Sequence, residues 1–285
     1  MAKITHIRNK STIKRENPVT QEPEVLNTET KTKTKPKKFK VKNLGIKVAL
    51  VCIAKNEDDY IQEWVGYNLK LGFDQIYIYQ NDWRCSIEHP NVTKIEYDGV
   101  GRQNEAYNDF MQERSSNYDW VAYFDVDEFL VLKKHFSIKD FINSYMEYNV
   151  IGINWRLFGD NGLIEKGGDL SVLKRFTKRQ KDLNPHVKSI VKVTSPPMRV
   201  GLHTSEKENV LVVGTNGKTF VGPFNYEGDY RVAQLNHYFT KTKQEFIEKC
   251  ARGRASINLF RKIEEFDEHN LNEVDDFAAR NFHYS

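Results

Sequence analysis

The 285 residues carry a formal net charge of +4, are 39% apolar and include 17 Phe and 14 Tyr, enough for one large core or two small ones. No stretch approaches the ~20 consecutive apolar residues of a membrane-spanning helix, and the start, MAKITHIRNK, lacks the apolar segment of a secretory signal. Three cysteines, Cys52, Cys85 and Cys250, form neither a disulfide framework nor a zinc spacing, so a reducing, cytoplasmic setting is expected.

The charge is unevenly distributed. Residues 1–42 hold 12 Lys and Arg against 4 Glu, a net of +8, whereas the remaining 243 residues sum to −4. The first segment is rich in Thr, Lys, Asn and Glu and has no aromatic residue before Phe39. Residues 1–44 are therefore expected to be a disordered basic tail. KTKTKPKKFKVK offers at most a weak contact with an anionic membrane surface, and no nucleic-acid partner is expected.

From Gly45 the pattern changes. Ile46–Ala54 reads as a buried strand ending in Lys55-Asn56-Glu57-Asp58, and a helix follows with Ile61, Trp64, Val65, Leu69 and Leu71 on one stripe, stopped by Gly72. Ile76–Tyr79 and Val92–Tyr97 are the next strands, and Arg102–Ser116 is a helix with Ala106, Tyr107, Phe110 and Met111 inward. The unbroken apolar run Trp120–Phe124 then ends in Asp125, Asp127 and Glu128. Acids leaving a buried strand need a compensating partner, and in an open α/β sheet the carboxyl ends of the strands are where ligands bind. Two Asp one residue apart can address Mg²⁺ or Mn²⁺ from one turn. An acidic turn or helix start is the plainer alternative. The apolar run before the pair and Phe129–Leu132 after it favour the metal.

Strands and helices alternating in this way predict an α/β fold: a mainly parallel, Rossmann-like doubly wound sheet flanked by helices. Neither GxGxxG nor GxxxxGK[ST] occurs, which argues against a dinucleotide or P-loop site. The later half is less regular. Helices are expected at Ile138–Tyr148, Gln244–Arg252 and around Ile263–Phe266, and strands at Val150–Trp155, Lys188–Thr194, Val210–Val213 and Val232–Leu235. These mixed strands suggest a smaller acceptor-side sheet. The body thus divides into a nucleotide half at about 45–135 and an acceptor half at about 136–285.

CIAKNEDDYIQEWVGYNLKLGFDQIYIYQND, DWVAYFDVDEF, WRLFGDNG, VKSIVK and NHYFTKTKQEFIEKCARG, in this order over residues 46–253, resemble glycosyltransferase family 92 and the related family-2-like bacterial and viral transferases of GT-A fold. Animal members of that family are usually membrane-anchored, a departure here. The resemblance implies inverting transfer of a hexose from a nucleotide-sugar, a UDP-sugar by preference, to a glycan or protein-linked glycan acceptor through Mn²⁺ or Mg²⁺. Asp127 would bind the metal, and Asp125 its water shell or the ribose. His237, ending a strand, would be the third ligand, with His203 competing for that role and a structural, hydrogen-bonded imidazole as the alternative. Lys241 or Lys243 would hold phosphates, while Lys188 is either a site residue or a solvated strand residue. Lys55, Asn56 and Glu57 would frame the nucleotide, Asp82 would reach base or ribose, and Arg102 and Gln103 diphosphate or ribose. Trp155 and Phe158 could stack on a sugar. The base that an inverting reaction needs is assigned first to Asp160, then to Asp229, with Asp275 and Asp276 in reserve.

Two other classes compete with this reading. Nucleotidyl transfer also uses paired Asp and metal, but it needs a phosphate-cradling loop or further acids that the sequence lacks. A non-catalytic carbohydrate- or nucleotide-binding module on the same scaffold is the second, against which Asp125, Asp127 and His237 speak.

Overall fold

The computed structural model describes residues 45–203, 210–254 and 259–285. The chain divides into Met1–Lys40 and Val41–Ser285; the expectation of a disordered tail falls outside the described residues. The body is an α/β structure. Its elements in order are β1 (Val48–Ala54), α1 (Asp58–Leu71), β2 (Gln75–Gln80), β3 (Val92–Glu96), α2 (Gln103–Glu113), β4 (Trp120–Tyr123), β5 (Glu128–Leu132), α3 (Ile138–Asn143), β6 (Val150–Leu157), α4 (Val172–Arg175), β7 (Lys178–Arg179), β8 (Val187–Lys192), β9 (Val212–Gly214), β10 (Thr219–Phe220), β11 (Ala233–His237), α5 (Lys243–Ala251), α6 (Glu265–His269), β12 (Val274–Asp275) and α7 (Ala278–Tyr284).

β1 lies between β2 and β4, parallel to both, and β3 continues beyond β2 in the same direction. Successive side chains of a strand point to opposite faces, so the uninterrupted apolar sequence of β1 feeds two cores. Val48, Leu50, Cys52 and Ala54 meet Ile61, Trp64 and Val65 of α1. Ala49, Val51 and Ile53 meet Tyr107, Phe110 and Met111 of α2 on the other face. This is why the strand shows no polar alternation.

The second-half strands extend that sheet. β8 pairs antiparallel with β4 and with β6, and β9 and β10 follow β6 outward. β11 branches from it, antiparallel to β5 and parallel to β6, forming a mixed arm, and β7 with β12 makes a separate antiparallel pair. The expected helix at 138–148 ends earlier, at Asn143. Tyr145 turns inward there, buried, and its hydroxyl donates to the Thr215 carbonyl at 2.8 Å. No described helix is long and apolar enough to cross a membrane.

α1 fixes the acidic segment from behind. Trp64 Nε1 donates to the Glu128 carbonyl at 2.9 Å and the Tyr67 hydroxyl to the Leu130 carbonyl at 2.7 Å. The polar segments following β1, β2 and β4 consequently come together on one rim, the place where the strand topology changes direction.

Candidate functional site

A cavity of about 680 Å³ opens on that rim, between Lys55, Asn81 and Gln103 on one side and α5 with the chain following it on the other. Asp125-Val126-Asp127 form the turn between β4 and β5, closed by the Glu128 amide donating to the Asp125 carbonyl at 3.0 Å. The Asp125 amide in turn donates to Glu128 Oε2 at 2.9 Å. Both Asp side chains line the cavity.

The two carboxylates have separate escorts. Asp125 Oδ2 accepts from Lys188 Nζ at 2.9 Å, and its Oδ1 accepts from Gln103 Nε2 at 2.8 Å. Lys188 arrives on β8, two residues from Ile190, which faces Ala122 of β4. It is buried, and its ammonium also lies 3.5 Å from Glu128 Oε2. Burial pushes Asp125 up, but Lys188 and His237 together outweigh it, and the net shift is downward. Glu128, fully enclosed, is pushed well above the usual carboxylate range by burial.

Asp127 Oδ2 accepts from Lys249 Nζ at 2.7 Å, and Lys249 also donates to the Phe239 carbonyl at 2.9 Å. His237 Nε2 stands 3.5 Å from Asp127 Oδ1. The β5–β11 register makes this contact: His237 is opposite Glu128, and the Tyr238 amide donates to the Asp127 carbonyl at 2.9 Å. Burial alone would raise Asp127, yet Lys249 and His237 hold its carboxyl well below the usual range. Burial lowers His237, leaving a neutral imidazole whose Nδ1 has no partner among the described residues. Burial likewise brings Lys249 down to about 8.

Asp127 and His237 bring a carboxylate oxygen and an imidazole nitrogen together, a donor pair open to a divalent ion. Neighbouring ligands of an octahedral ion at ~2.1 Å lie roughly 3 Å apart, and a 3.5 Å gap between Oδ1 and Nε2 is too long for a good hydrogen bond but close to that spacing. Asp125 is turned toward Lys188 and Gln103 instead. Among the described residues no three His, Cys, Asp or Glu side chains surround one point. The residues that could hold an ion here are the pair Asp127 and His237.

Of the other expected residues, Lys55, Glu57, Gln103, Lys188 and His203 line the cavity. Lys55 is paired with Asp82 at 3.0 Å, and Glu57 Oε1 with Arg252 at 2.5 Å. His203 Nδ1 faces the Val187 carbonyl at 2.9 Å, and burial lowers this imidazole to about 4. Trp155 also lines the cavity, with its ring centroid 4.4 Å from that of His237, whereas Phe158 is core.

Several expected residues lie elsewhere. Asp160 is not at the cavity: its Oδ1 accepts from the Gly162 amide at 2.8 Å and from Asn272 Nδ2 at 3.0 Å, holding its own loop. Asp229 accepts from Arg231 at 2.7 Å, also away from the cavity. Asp276 is tied to Arg179 at 2.9 Å, and Asp275 is exposed. Arg102 lies over the Tyr97 ring at 4.3 Å and pairs with Glu105, one helical turn on. Asp82 buttresses Lys55 and accepts from the Gly99 amide at 3.2 Å, without lining the cavity. Asn56 and Lys241 open instead on a neighbouring, smaller cavity.

Residues that sequence reasoning missed form the opposite wall: Lys249, Arg252, Arg254 and Arg261, with Phe239 and His269. Cations at the end of a helix read as favourable dipole partners, which disguises Lys249 and Arg252. The available signal was position, since Lys249 falls four residues after Glu245 on the buried stripe of α5, where an apolar residue belongs.

This arrangement sets two acids and an imidazole against a cationic wall. The family model of glycosyltransferase family 92 matches residues 83–273, well over half of the chain and including Asp125, Asp127, His237 and Lys249. The chain belongs to glycosyltransferase family 92. A family 92 protein of Arabidopsis thaliana is 26% identical over 196 residues, covering 60% of this chain and 34% of its own length. A family 92 protein of Ricinus communis is 22% identical over 226 residues, covering 74% of this chain and 38% of its own. This family 92 chain thus spans about a third of the length of the curated relatives it matches, which are plant proteins. Among solved structures, a 4-diphosphocytidyl-2C-methyl-D-erythritol synthase from Anaerococcus prevotii overlaps 52% of this chain and 72% of its own at TM-score 0.27 and 10% identity, too slight a likeness to carry an argument.

Proposed function

We propose that this family 92 chain is a glycosyltransferase that moves a hexose from a nucleotide-sugar, by preference a UDP-sugar, to a glycan or protein-linked glycan acceptor with inversion. The observation that carries this reading is the juxtaposition of Asp125 and Asp127 with Lys249, Arg252, Arg254 and Arg261 across one cavity. As the bond to the anomeric carbon breaks, charge collects on the departing diphosphate. Cations fixed beside it therefore favour the transition state over the bound donor. The planar guanidinium groups suit phosphate oxygens.

Asp127 and His237 would hold a Mn²⁺ or Mg²⁺ ion, which when bound supplies further neutralisation of the diphosphate. The chain's own residues do the rest. Lys188 and Gln103 hold Asp125 in place to meet the ribose or the ion's water. Lys55, Glu57 and Asn81 line the nucleotide side of the cavity, and Trp155, packed against His186 and His237, adds an apolar surface to it. For the acceptor proton, Glu57 and His203 replace Asp160 and Asp229 as candidates because they line the cavity. Glu57 stands on the nucleotide side and is tied to Arg252, whereas His203 donates from Nδ1 to the Val187 carbonyl and keeps Nε2 as an acceptor, which makes His203 the better choice.

The test is incubation with a panel of nucleotide-sugars and Mn²⁺, measuring released nucleoside diphosphate with and without added glycans. Release from one donor that is lost in Asp127→Ala supports the reading. Saturable UDP binding with no release from any donor would instead indicate a binding module on this scaffold.

A further inference from the structure

Behind the wall formed by Lys249 and Arg252 lies a second cavity of about 200 Å³, between the start of α1 and the start of α5. It is smaller than the roughly 300–1,000 Å³ of a drug-sized ligand site. Most of the charge around it is already paired. Lys166 is bonded to Asp59, and Glu245 accepts both guanidinium nitrogens of Arg175 at 2.8 and 2.9 Å. Arg252 and Lys249 are committed to Glu57 and Asp127. Glu248, exposed, accepts from Gln244 at 3.2 Å.

Lys241 is the exception. The residue is only 4% exposed, and its ammonium sits 4.4 Å above the Tyr60 ring. It has no hydrogen-bond or ion-pair partner among the described residues. Its backbone is left-handed, φ 51°, an unusual conformation for a side chain of this size. The Tyr60 hydroxyl donates to Glu245 Oε1 at 2.5 Å, which tethers the ring. The ammonium meets that ring face and the cavity itself, where an acceptor carried by a ligand would complete it.

We infer that this second cavity is an oxyanion site, taking a carboxylate or phosphate group on Lys241, separate from the cavity that holds the acidic pair. Lys166, although paired with Asp59, lines the same cavity with its ammonium 5.7 Å from the centroid of the Tyr60 ring. The oxyanion has two sources: free phosphate, or an acidic group carried by an acceptor sugar such as a uronate. Lys249 and Arg252 line both cavities, so a sugar in the larger one can extend an acidic substituent past them. The anion site does not depend on glycosyl transfer; only the second source rests on that proposal.

Calorimetric titration of the full chain with inorganic phosphate tests this, in the absence and presence of saturating UDP. Saturable binding is expected, and it should persist with UDP present. Lys241→Gln should weaken it about tenfold, the loss of one charge-assisted contact, and Lys241→Arg should retain most of it. Titrations repeated with glucuronate and with glucose separate the sources. Displacement of phosphate by glucuronate but not glucose assigns an acidic sugar, and no displacement by either assigns free phosphate. Absent phosphate binding, equal binding by Lys241→Gln, or loss of binding when UDP is added would each overturn the inference. Failure of UDP itself to bind would count against the glycosyltransferase reading alone.

Discussion

At the residue scale, Asp127 has two duties that respond differently to substitution. It lines the cavity in which the proposed reaction would develop charge on the donor, and it neutralises a buried ammonium, that of Lys249. Asp127→Asn should reduce nucleoside diphosphate release by at least ~100-fold, the scale seen when a group stabilising developing charge is lost. It should also lower the melting temperature, because an ammonium stripped of its buried partner costs about 3–5 kcal/mol. Asp127→Asn combined with Lys249→Met should recover most of that melting temperature and none of the turnover. A single variant that melts like the wild type would show that the pair does not support the fold. The acidic pair is legible in sequence because a long apolar run delivers it, and a charge so placed needs a reason. Lys249 is not, because its partner lies 122 positions away and nothing local distinguishes it from a helix-end cation. Asp160 fails as a base for the opposite reason. A loop rich in Gly, Asn and Asp promises a reactive carboxylate, but here the carboxylate is spent on shaping that loop.

At the element scale, the joints between helices and strands make two further predictions. β6 runs through the middle of the extended sheet, and Gly152 on it faces Phe220 and Val212. A Cβ built there would stand 2.7 Å from Phe220 Cζ and 2.8 Å from Val212 Cγ1. Gly152→Ala should therefore push β9 and β10 away and cost about 1–3 kcal/mol, as overpacking does, measured by urea unfolding. The second joint is Glu245 on α5, which ties Arg175 of α4 and Tyr60 of α1 together and closes a capping box with Thr242. Burial pushes this carboxyl up, but Arg175, Thr242 and Tyr60 outweigh it and hold it at about 2, against an ordinary 4.5. A depressed carboxyl contributes its stability above the unfolded value and loses it as pH falls toward the folded one. The contribution, roughly 3 kcal/mol by linkage, should be complete above about pH 5 and lost between 4.5 and 2. Melting curves of the wild type and Glu245→Gln should differ at pH 6 and converge near pH 2; a gap that does not close would refute the assignment. The long periodic elements β1, α1, β2, α2 and β4 are readable from sequence. The two-residue strands β7 and β12 are not, since each is a strand only because the other lies beside it.

At the scale of the whole molecule, residues 1–42 carry a net charge of +8 and no aromatic residue before Phe39, a composition poor in material for a core. A truncation beginning at Asn43 should keep the melting transition and the donor hydrolysis, and loss of either would show that residues 1–42 contribute to the body. The sequence by itself determined the α/β class, the parallel first half and the family. These follow from local chemistry: apolar runs long enough to be buried on both faces, a 3.6-residue stripe on α1, and motifs contiguous in the chain. Only the tertiary structure decided which side chains share the cavity. Lys188 meets Asp125 through the antiparallel pairing of β8 with β4, and His237 meets Asp127 through the register of β11 with β5. Lys241, four residues beyond His237, is instead sent to a different chamber by one left-handed backbone step. Register and backbone handedness are set by packing across the whole sheet. A one-residue slip would turn each of these side chains to the opposite face, and no local pattern in the chain records which choice is made.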